Sequence, residues 1–161
     1  MKTKLEGKVS HAALGALKEK ELAEIKEQAS RSADDIQFFL ECNAQGKINL
    51  DYTIASLLGL ESAFRQISVR KEKLPADFPF DALARLTGLY LGEVIKRETA
   101  GTWEVYVGKN YTFNRIVVRI GEKFCDPLRF GMVLDKAKAA HGASSGKALH
   151  YFATSLDSAF P

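Results

Sequence analysis

The sequence predicts an α+β fold, with N-terminal helices, a central helix, a three-stranded antiparallel meander and C-terminal helices in one layered domain. Up to about residue 100, apolar residues recur at three- and four-residue steps, the spacing of amphipathic helices. Between residues 102 and 125, short alternating segments are separated by turn residues, as in antiparallel strands. Because no helical pattern separates these strands, their grouping favours an α+β arrangement over a parallel sheet.

Composition predicts a single globular domain over residues 1–161, with 46% hydrophobic and 27% charged residues. The 23 basic and 20 acidic residues nearly balance, which gives little steering toward nucleic acid or a membrane. No apolar run is long enough to span a bilayer, so we expect a cytoplasmic location. Cys42 and Cys125 lie far apart without histidine clusters, and we predict no cofactor, metal site or disulfide.

The N-terminal segment, residues 1–45, should be helical. Ser30 and Ser32, followed by Asp34 and Asp35, could cap a second helix and break the run near residue 30, so one helix or two remains open. Gly46 would end whichever helix arrives there. The apolar residues at helical spacing are Leu14, Leu17, Leu22, Ile25, Ala29, Ala33, Ile36 and Leu40.

A further helix should follow, capped by Asn49 or Asp51, before a charged, proline-containing surface connection over residues 70–79. Its expected apolar stripe consists of Ile54, Leu57, Leu58, Phe64 and Ile67.

The central helix should open near residue 80, with Pro79 in its first turn and Asp81 accepting from unpaired amides. Gly88 and Gly92 share one face among apolar neighbours, which indicates that another backbone approaches closely, although drift at exposed positions is the alternative. The expected core stripe is Leu83, Thr87, Leu91, Val94 and Ile95, with Leu86, Tyr90 and Glu93 along one flank.

Three strands should follow: residues 102–107, 115–120 and 123–125, joined by a hairpin loop and by Gly121-Glu122. Trp103 should pack against the central helix near Gly92; the alternative is an exposed anchor for a partner. Asp126 and Pro127 should cap and start a helix through about residue 140. Residues 142–161 form a C-terminal extension with a last short helix from about residue 147.

No complete catalytic motif is present. The run from Gly142 to Lys147 is one residue short of a phosphate-binding loop and follows a helix, so it is interpreted as a flexible connection. His11, His141 and His150 lack metal-site spacing. We therefore predict no catalytic residues.

The candidate interaction or structural site centres on Glu93 and comprises Tyr90, Glu93, Arg97, Trp103 and Asp126. Glu93 either pairs with Arg97 on an exposed face or is a partly buried carboxylate tied to the Trp103 strand. An enzyme would instead need a cleft around Glu93 and Tyr90, with a second polar group in reach.

Aromatic residues crowd the first hairpin, while Arg115 and Arg119 lie along the next strand with Val117 on the same face. This mixture could bind single-stranded nucleic acid, but a solvated outer face explains it equally well.

The run Gly88-Leu89-Tyr90-Leu91-Gly92-Glu93, a tryptophan ten residues after that glutamate, a later strand and Asp126-Pro127 together resemble small bacterial α+β domains of uncharacterised function. Some of those domains resemble immunity proteins of toxin systems. The resemblance covers about residues 48–140, implies a fold more than an activity and supplies no catalytic residues. It implies a non-enzymatic protein-binding module that binds and neutralises a bacterial toxin. A small enzyme and a weak nucleic-acid binder are the alternatives.

Overall fold

A computed structural model describes residues 18–42, 47–69, 77–107 and 114–129, and it confirms the α+β class. The described chain contains helices followed by a three-stranded antiparallel sheet and a short helical stretch over residues 127–129. The elements are α1 (residues 18–30), α2 (Ser32–Cys42), α3 (Ile54–Val69), α4 (Phe80–Thr99), β1 (Thr102–Val107), β2 (Asn114–Ile120) and β3 (Lys123–Cys125).

Within residues 18–42, the N-terminal run is two helices, because a turn at Arg31 separates α1 from α2. The break lies where it was predicted, but Ser30 and Ser32 do not cap α2. Their hydroxyls donate backwards instead, over 2.6 Å to the Glu27 carbonyl and 2.7 Å to the Ala29 carbonyl. Serine hydroxyls that bond to the preceding turn compete with capping. The predicted stop at Gly46 lies outside the described residues.

Thr53, rather than Asn49 or Asp51, caps α3. The amide of Ser56 donates to Thr53 Oγ1 over 3.2 Å, at the third helical position. Asp51 acts one step earlier, since its Oδ1 accepts from the Thr53 amide and hydroxyl over 3.1 and 2.6 Å. Of the expected stripe, Leu57 and Ile67 are buried and Ile54 is half-buried; Leu58 is 38% exposed, contrary to the prediction, and the Phe64 side chain lies outside the described set.

Helix α4 is the central element, and the entire predicted core stripe is buried. It is enclosed because β2 contacts it and α2 and α3 also pack against it. Pro79 immediately precedes the helix instead of lying in its first turn, and its carbonyl accepts from the Leu83 amide over 3.2 Å. Asp81 lies in the first turn, but no side chain caps the start of the helix. The helix ends at Ala100, whose φ of 54° is left-handed, and the Gly101 amide closes the end on the Lys96 carbonyl.

The sheet has the order β1-β2-β3, as the meander prediction required. Trp103 pairs with Val118, and Val118 with Cys125, so these three side chains share the inner face and are buried. Gly121, with a φ of 61°, makes the turn between β2 and β3. The hairpin loop over residues 108–113 and the predicted helices beyond residue 129 lie outside the described residues.

Two glycines of α4 allow the close approach predicted for them. A methyl group on Gly88 would lie 2.9 Å from both Leu128 Cα and the Pro127 carbonyl oxygen. One on Gly92 would overlap the six-membered ring of Trp103 and lie 2.8 Å from Pro127 Cγ. Trp103, 2% exposed, therefore packs against α4 at Gly92, and its predicted core position is confirmed.

Candidate functional site

Glu93 is a buried carboxylate with several donors. It is 2% exposed, although it lies within the last two turns of α4. Its Oε2 accepts from Trp103 Nε1 over 3.2 Å, and its Oε1 accepts from Arg97 Nε over 3.0 Å. Lys96 Nζ lies 3.6 Å from Oε1. These contacts agree with the hypothesis of a carboxylate tied to the Trp103 strand, since they join α4 to β1.

Tyr90 faces a different partner, the start of α3. Its hydroxyl lies 2.6 Å from Ser56 Oγ and accepts from the Tyr52 amide over 2.9 Å. Because Ser56 donates its own proton to the Thr53 carbonyl over 2.6 Å, the Tyr90 hydroxyl must donate to Ser56. Burial raises the pKa of Tyr90 above its ordinary value, so the phenol stays protonated and can serve as this donor.

Tyr52 lies beside Tyr90 and Arg97, and the sequence analysis did not identify it. Its ring stacks on that of Tyr90 with centroids 5.1 Å apart, and Arg97 Cζ lies 3.8 Å from the Tyr52 ring centroid. Its hydroxyl donates to the Ser30 carbonyl over 2.9 Å and accepts from the Ala33 amide over 3.1 Å. Tyr52 therefore satisfies backbone groups left open where α1 breaks into α2.

The backbone of Tyr52 is strained, since its φ of 62° is left-handed and rare for an aromatic residue. The bond from its amide to the Tyr90 hydroxyl helps to hold this conformation. No periodicity in the sequence marks such a position, because the signal is a single backbone angle and a contact between residues 38 apart in sequence.

The interior cluster, defined as Tyr52, Ser56, Tyr90, Glu93, Arg97 and Trp103, connects β1, α4, α3 and the α1–α2 break. Catalysis at Glu93 would require a concave pocket in which substrate reaches the carboxylate. Glu93 is instead sealed by donors from its own chain. The geometry favours a structural role for the cluster and counts against the cleft that the enzyme alternative needed.

Asp126 lies apart from the interior cluster and acts at the next helix start. Its Oδ1 accepts from the Arg129 amide over 3.1 Å, which confirms the predicted cap, and Pro127 follows in the first turn. Its Oδ2 lies 3.7 Å from Arg115 Nη1 on β2. Of the five candidate residues, the structure thus brings Glu93, Arg97 and Trp103 into direct contact, with Tyr90 joined to them through Tyr52.

Comparison of this chain with family models, curated proteins and solved structures finds no match. Within the described ranges, no three His, Cys, Asp or Glu side chains are grouped so that they could hold a metal ion. None of the helices described has both the length and the apolar character needed to cross a membrane. Burial raises the pKa of Cys125 to about 12, so this thiol is not a nucleophile at neutral pH.

The opposite face of the sheet is open and mixed in character. The rings of Tyr106 and Phe124 stack with centroids 4.2 Å apart although β2 lies between their strands, so they meet above β2. Val117, the outward residue of β2 between Arg115 and Arg119, is only 3% exposed. We name this surface the outer sheet face; it comprises Glu104, Tyr106, Arg115, Val117, Arg119 and Phe124.

Both arginines of the outer sheet face are already engaged by carboxylates. Arg119 Nη1 lies 3.3 Å from Glu104 Oε2, and its Nε donates to the Gly121 carbonyl over 3.0 Å. Arg115 approaches Asp126. Phosphate contacts would have to displace these partners, and the two rings stack on each other rather than standing apart for bases. The geometry therefore gives little support to nucleic-acid binding.

Proposed function

We propose that this protein is a non-enzymatic protein-binding module and that the outer sheet face is its binding surface. The observation that carries the proposal is the stacked pair of Tyr106 and Phe124, which are 37% and 39% exposed on the face turned away from α4. Aromatic side chains and arginine are enriched in protein interfaces, and aromatic anchors supply much of their binding energy.

The surface is also pre-organised. Antiparallel pairing fixes the spacing of its side chains, and the inner side of the sheet packs on α4 through Trp103 and Val118. A surface already held in one conformation loses little entropy on binding. The ion pair of Glu104 with Arg119 is solvent-exposed, and exposed charges direct specificity and association more than affinity.

The resemblance to small bacterial α+β domains, some of which resemble toxin-immunity proteins, supports a bacterial toxin as the partner, bound and neutralised by contact rather than by chemistry. The sealed state of Glu93 supports a mechanism without a catalytic carboxylate at that position. The net charge of +3 favours a toxin that is not strongly basic, since like charges oppose association.

The test is titration calorimetry of the purified protein against a toxin encoded beside its gene. Tyr106→Ala should weaken binding by about 2 kcal/mol or more, because it removes a central aromatic anchor. Phe38→Ala is the matched control: Phe38 is 69% exposed but lies on α2, so this variant should bind like the wild type. Wild-type affinity in Tyr106→Ala would contradict the assigned surface, and the absence of any bound protein would contradict the proposed function.

A further inference from the structure

We propose that a depression on the outer sheet face receives a basic side chain, lysine or arginine, from the bound protein. This proposal rests on the protein-binding function above and adds the chemistry of one contact. The depression has a volume of about 300 Å³ and is lined by Glu104, Val105, Tyr106, Val117, Arg119, Glu122 and Phe124.

The shape of the depression suits a long side chain with an apolar stem. Val117, 3% exposed, forms its floor, and the stacked rings of Tyr106 and Phe124 form one wall. Lysine and arginine lay their methylene stems along apolar surface and carry the charge at the far end. A cation against an aromatic ring is further attracted by the negative face of the ring.

The charged residues that line the depression are negative in excess. Among the lining residues, Glu104 and Glu122 carry two negative charges and Arg119 one positive charge, which is a net charge of −1 for the lining. Arg119 is occupied twice, by the Glu104 carboxylate and the Gly121 carbonyl. Glu122 is exposed and forms no ion pair with another residue of the described chain, so its carboxylate is free for an incoming cation.

Acidic and purely apolar side chains fit the depression less well. An acidic side chain would meet two carboxylates and an arginine that is already paired. A purely apolar side chain would fit the floor but would desolvate the carboxylates of Glu104 and Glu122 without compensation. Of these three kinds of side chain, only a basic one can both pack on Val117 and pair with the carboxylates of Glu104 and Glu122.

The experiment uses the whole protein and needs no partner. Amide chemical shifts are followed by NMR while N-acetyl-arginine amide is added, with N-acetyl-citrulline amide as the uncharged probe of the same shape. We expect saturable shifts in the millimolar range, as befits so small a ligand, clustered on the outer sheet face and at Glu122 with the arginine probe only. Glu122→Gln should weaken that binding about two- to fivefold, the range for an exposed charge pair. Glu98→Gln, which removes an exposed carboxylate on α4, should leave it unchanged.

Equal shifts with both probes, or no clustered shifts with the arginine probe, would overturn the proposal. So would a dimer that dissociates when Glu122 is changed to lysine, because a second copy would then fill the depression. Failure of this proposal can be distinguished from failure of the proposed function. If Tyr106→Ala loses toxin binding but the wild type does not bind the arginine probe, only the proposal of a basic side chain is refuted. If the wild type binds the arginine probe but binds no toxin, only the proposed protein-binding function is refuted.

Discussion

Replacing Gly92 with alanine tests the packing on which the fold is built. Alanine is the better helix former by about 1 kcal/mol, so at an open position the change would stabilise α4. At Gly92 the new methyl group would overlap the Trp103 ring and lie 2.8 Å from Pro127 Cγ. The sign of the effect therefore depends on whether the tryptophan can move away.

The structure indicates that the Trp103 side chain cannot move without losing interior contacts. Trp103 is 2% exposed, and its Nε1 donates to the buried Glu93 carboxylate. Overpacking a core costs about 1–3 kcal/mol, and a hydrogen bond to a charged group contributes about 1.5–3 kcal/mol. After subtraction of the helix gain, Gly92→Ala should lower the free energy of unfolding by about 1.5–5 kcal/mol.

Urea denaturation and thermal melting measure this change in the free energy of unfolding, with Gly59→Ala as the control. Gly59 also lies within a helix, α3, but a methyl group there would meet nothing within 4 Å. The control should raise stability by about 0.5–1 kcal/mol. For a chain of this size, Gly92→Ala should lower the melting temperature by at least about 3 °C, whereas the control should raise it by about 1–4 °C.

A double mutant identifies the residue responsible. Trp103→Phe removes the six-membered ring of the indole that the methyl group would overlap. The combination of Gly92→Ala with Trp103→Phe should therefore be less destabilised than the sum of the single changes, by about 1 kcal/mol or more. If Gly92→Ala is as stable as the wild type, or if the two changes simply add, Trp103 does not lie against Gly92 and the reasoning is wrong.

Two substitutions, thiol labelling and the dependence of stability on pH test the interior further. Tyr52→Phe should cost about 1–3 kcal/mol, since it leaves the Ala33 amide without its side-chain acceptor, and hydrogen exchange should accelerate in α1 and α2 but not in the sheet. Glu93→Gln should cost about 1–2 kcal/mol in urea denaturation because a charged acceptor becomes neutral; an unchanged midpoint would contradict the buried network. Folded protein at pH 8 should react with a thiol reagent at the exposed Cys42 alone, and at Cys125 only after denaturation. Because the pKa of Cys125 is raised from 9.0 to about 12, its contribution to stability should be constant below pH 9 and fall progressively between pH 9 and 12, as the unfolded thiol ionises while the folded one does not.

The helices and strands could be predicted because their signals are repeated over many residues. In α4 the apolar residues recur through more than four turns, and in β2 the run from Ile116 to Val118 has strong strand preference. The strand bounds of β1 and β3 agree with the prediction, since Gly101 and Gly121 mark their limits. Averaging over many residues makes such predictions robust to one exception, as the exposed Leu58 shows.

Helix caps were predicted less well because each depends on one side-chain rotamer. Thr53 and Asp51 are both good capping residues, and only the geometry shows that Thr53 takes the helix amide while Asp51 orients Thr53. Ser32 has the right chemistry as well, yet its hydroxyl bonds backwards to α1. Composition near a helix end therefore predicts that a cap exists better than it predicts which residue provides it.

The residues that stand out in the sequence are those that hold the fold. In the run from Gly88 to Glu93, the glycines admit Pro127, Leu128 and Trp103, the tyrosine binds the start of α3, and the glutamate binds the indole. Each choice follows from an interior contact, so any chain that packs a tryptophan and an Asp-Pro helix start on such a helix needs similar residues. A resemblance based on this run therefore implies an architecture more than an activity. Mutations that separate binding from stability must accordingly be sought on the outer sheet face, where Tyr106 and Phe124 are exposed, and not in the motif itself.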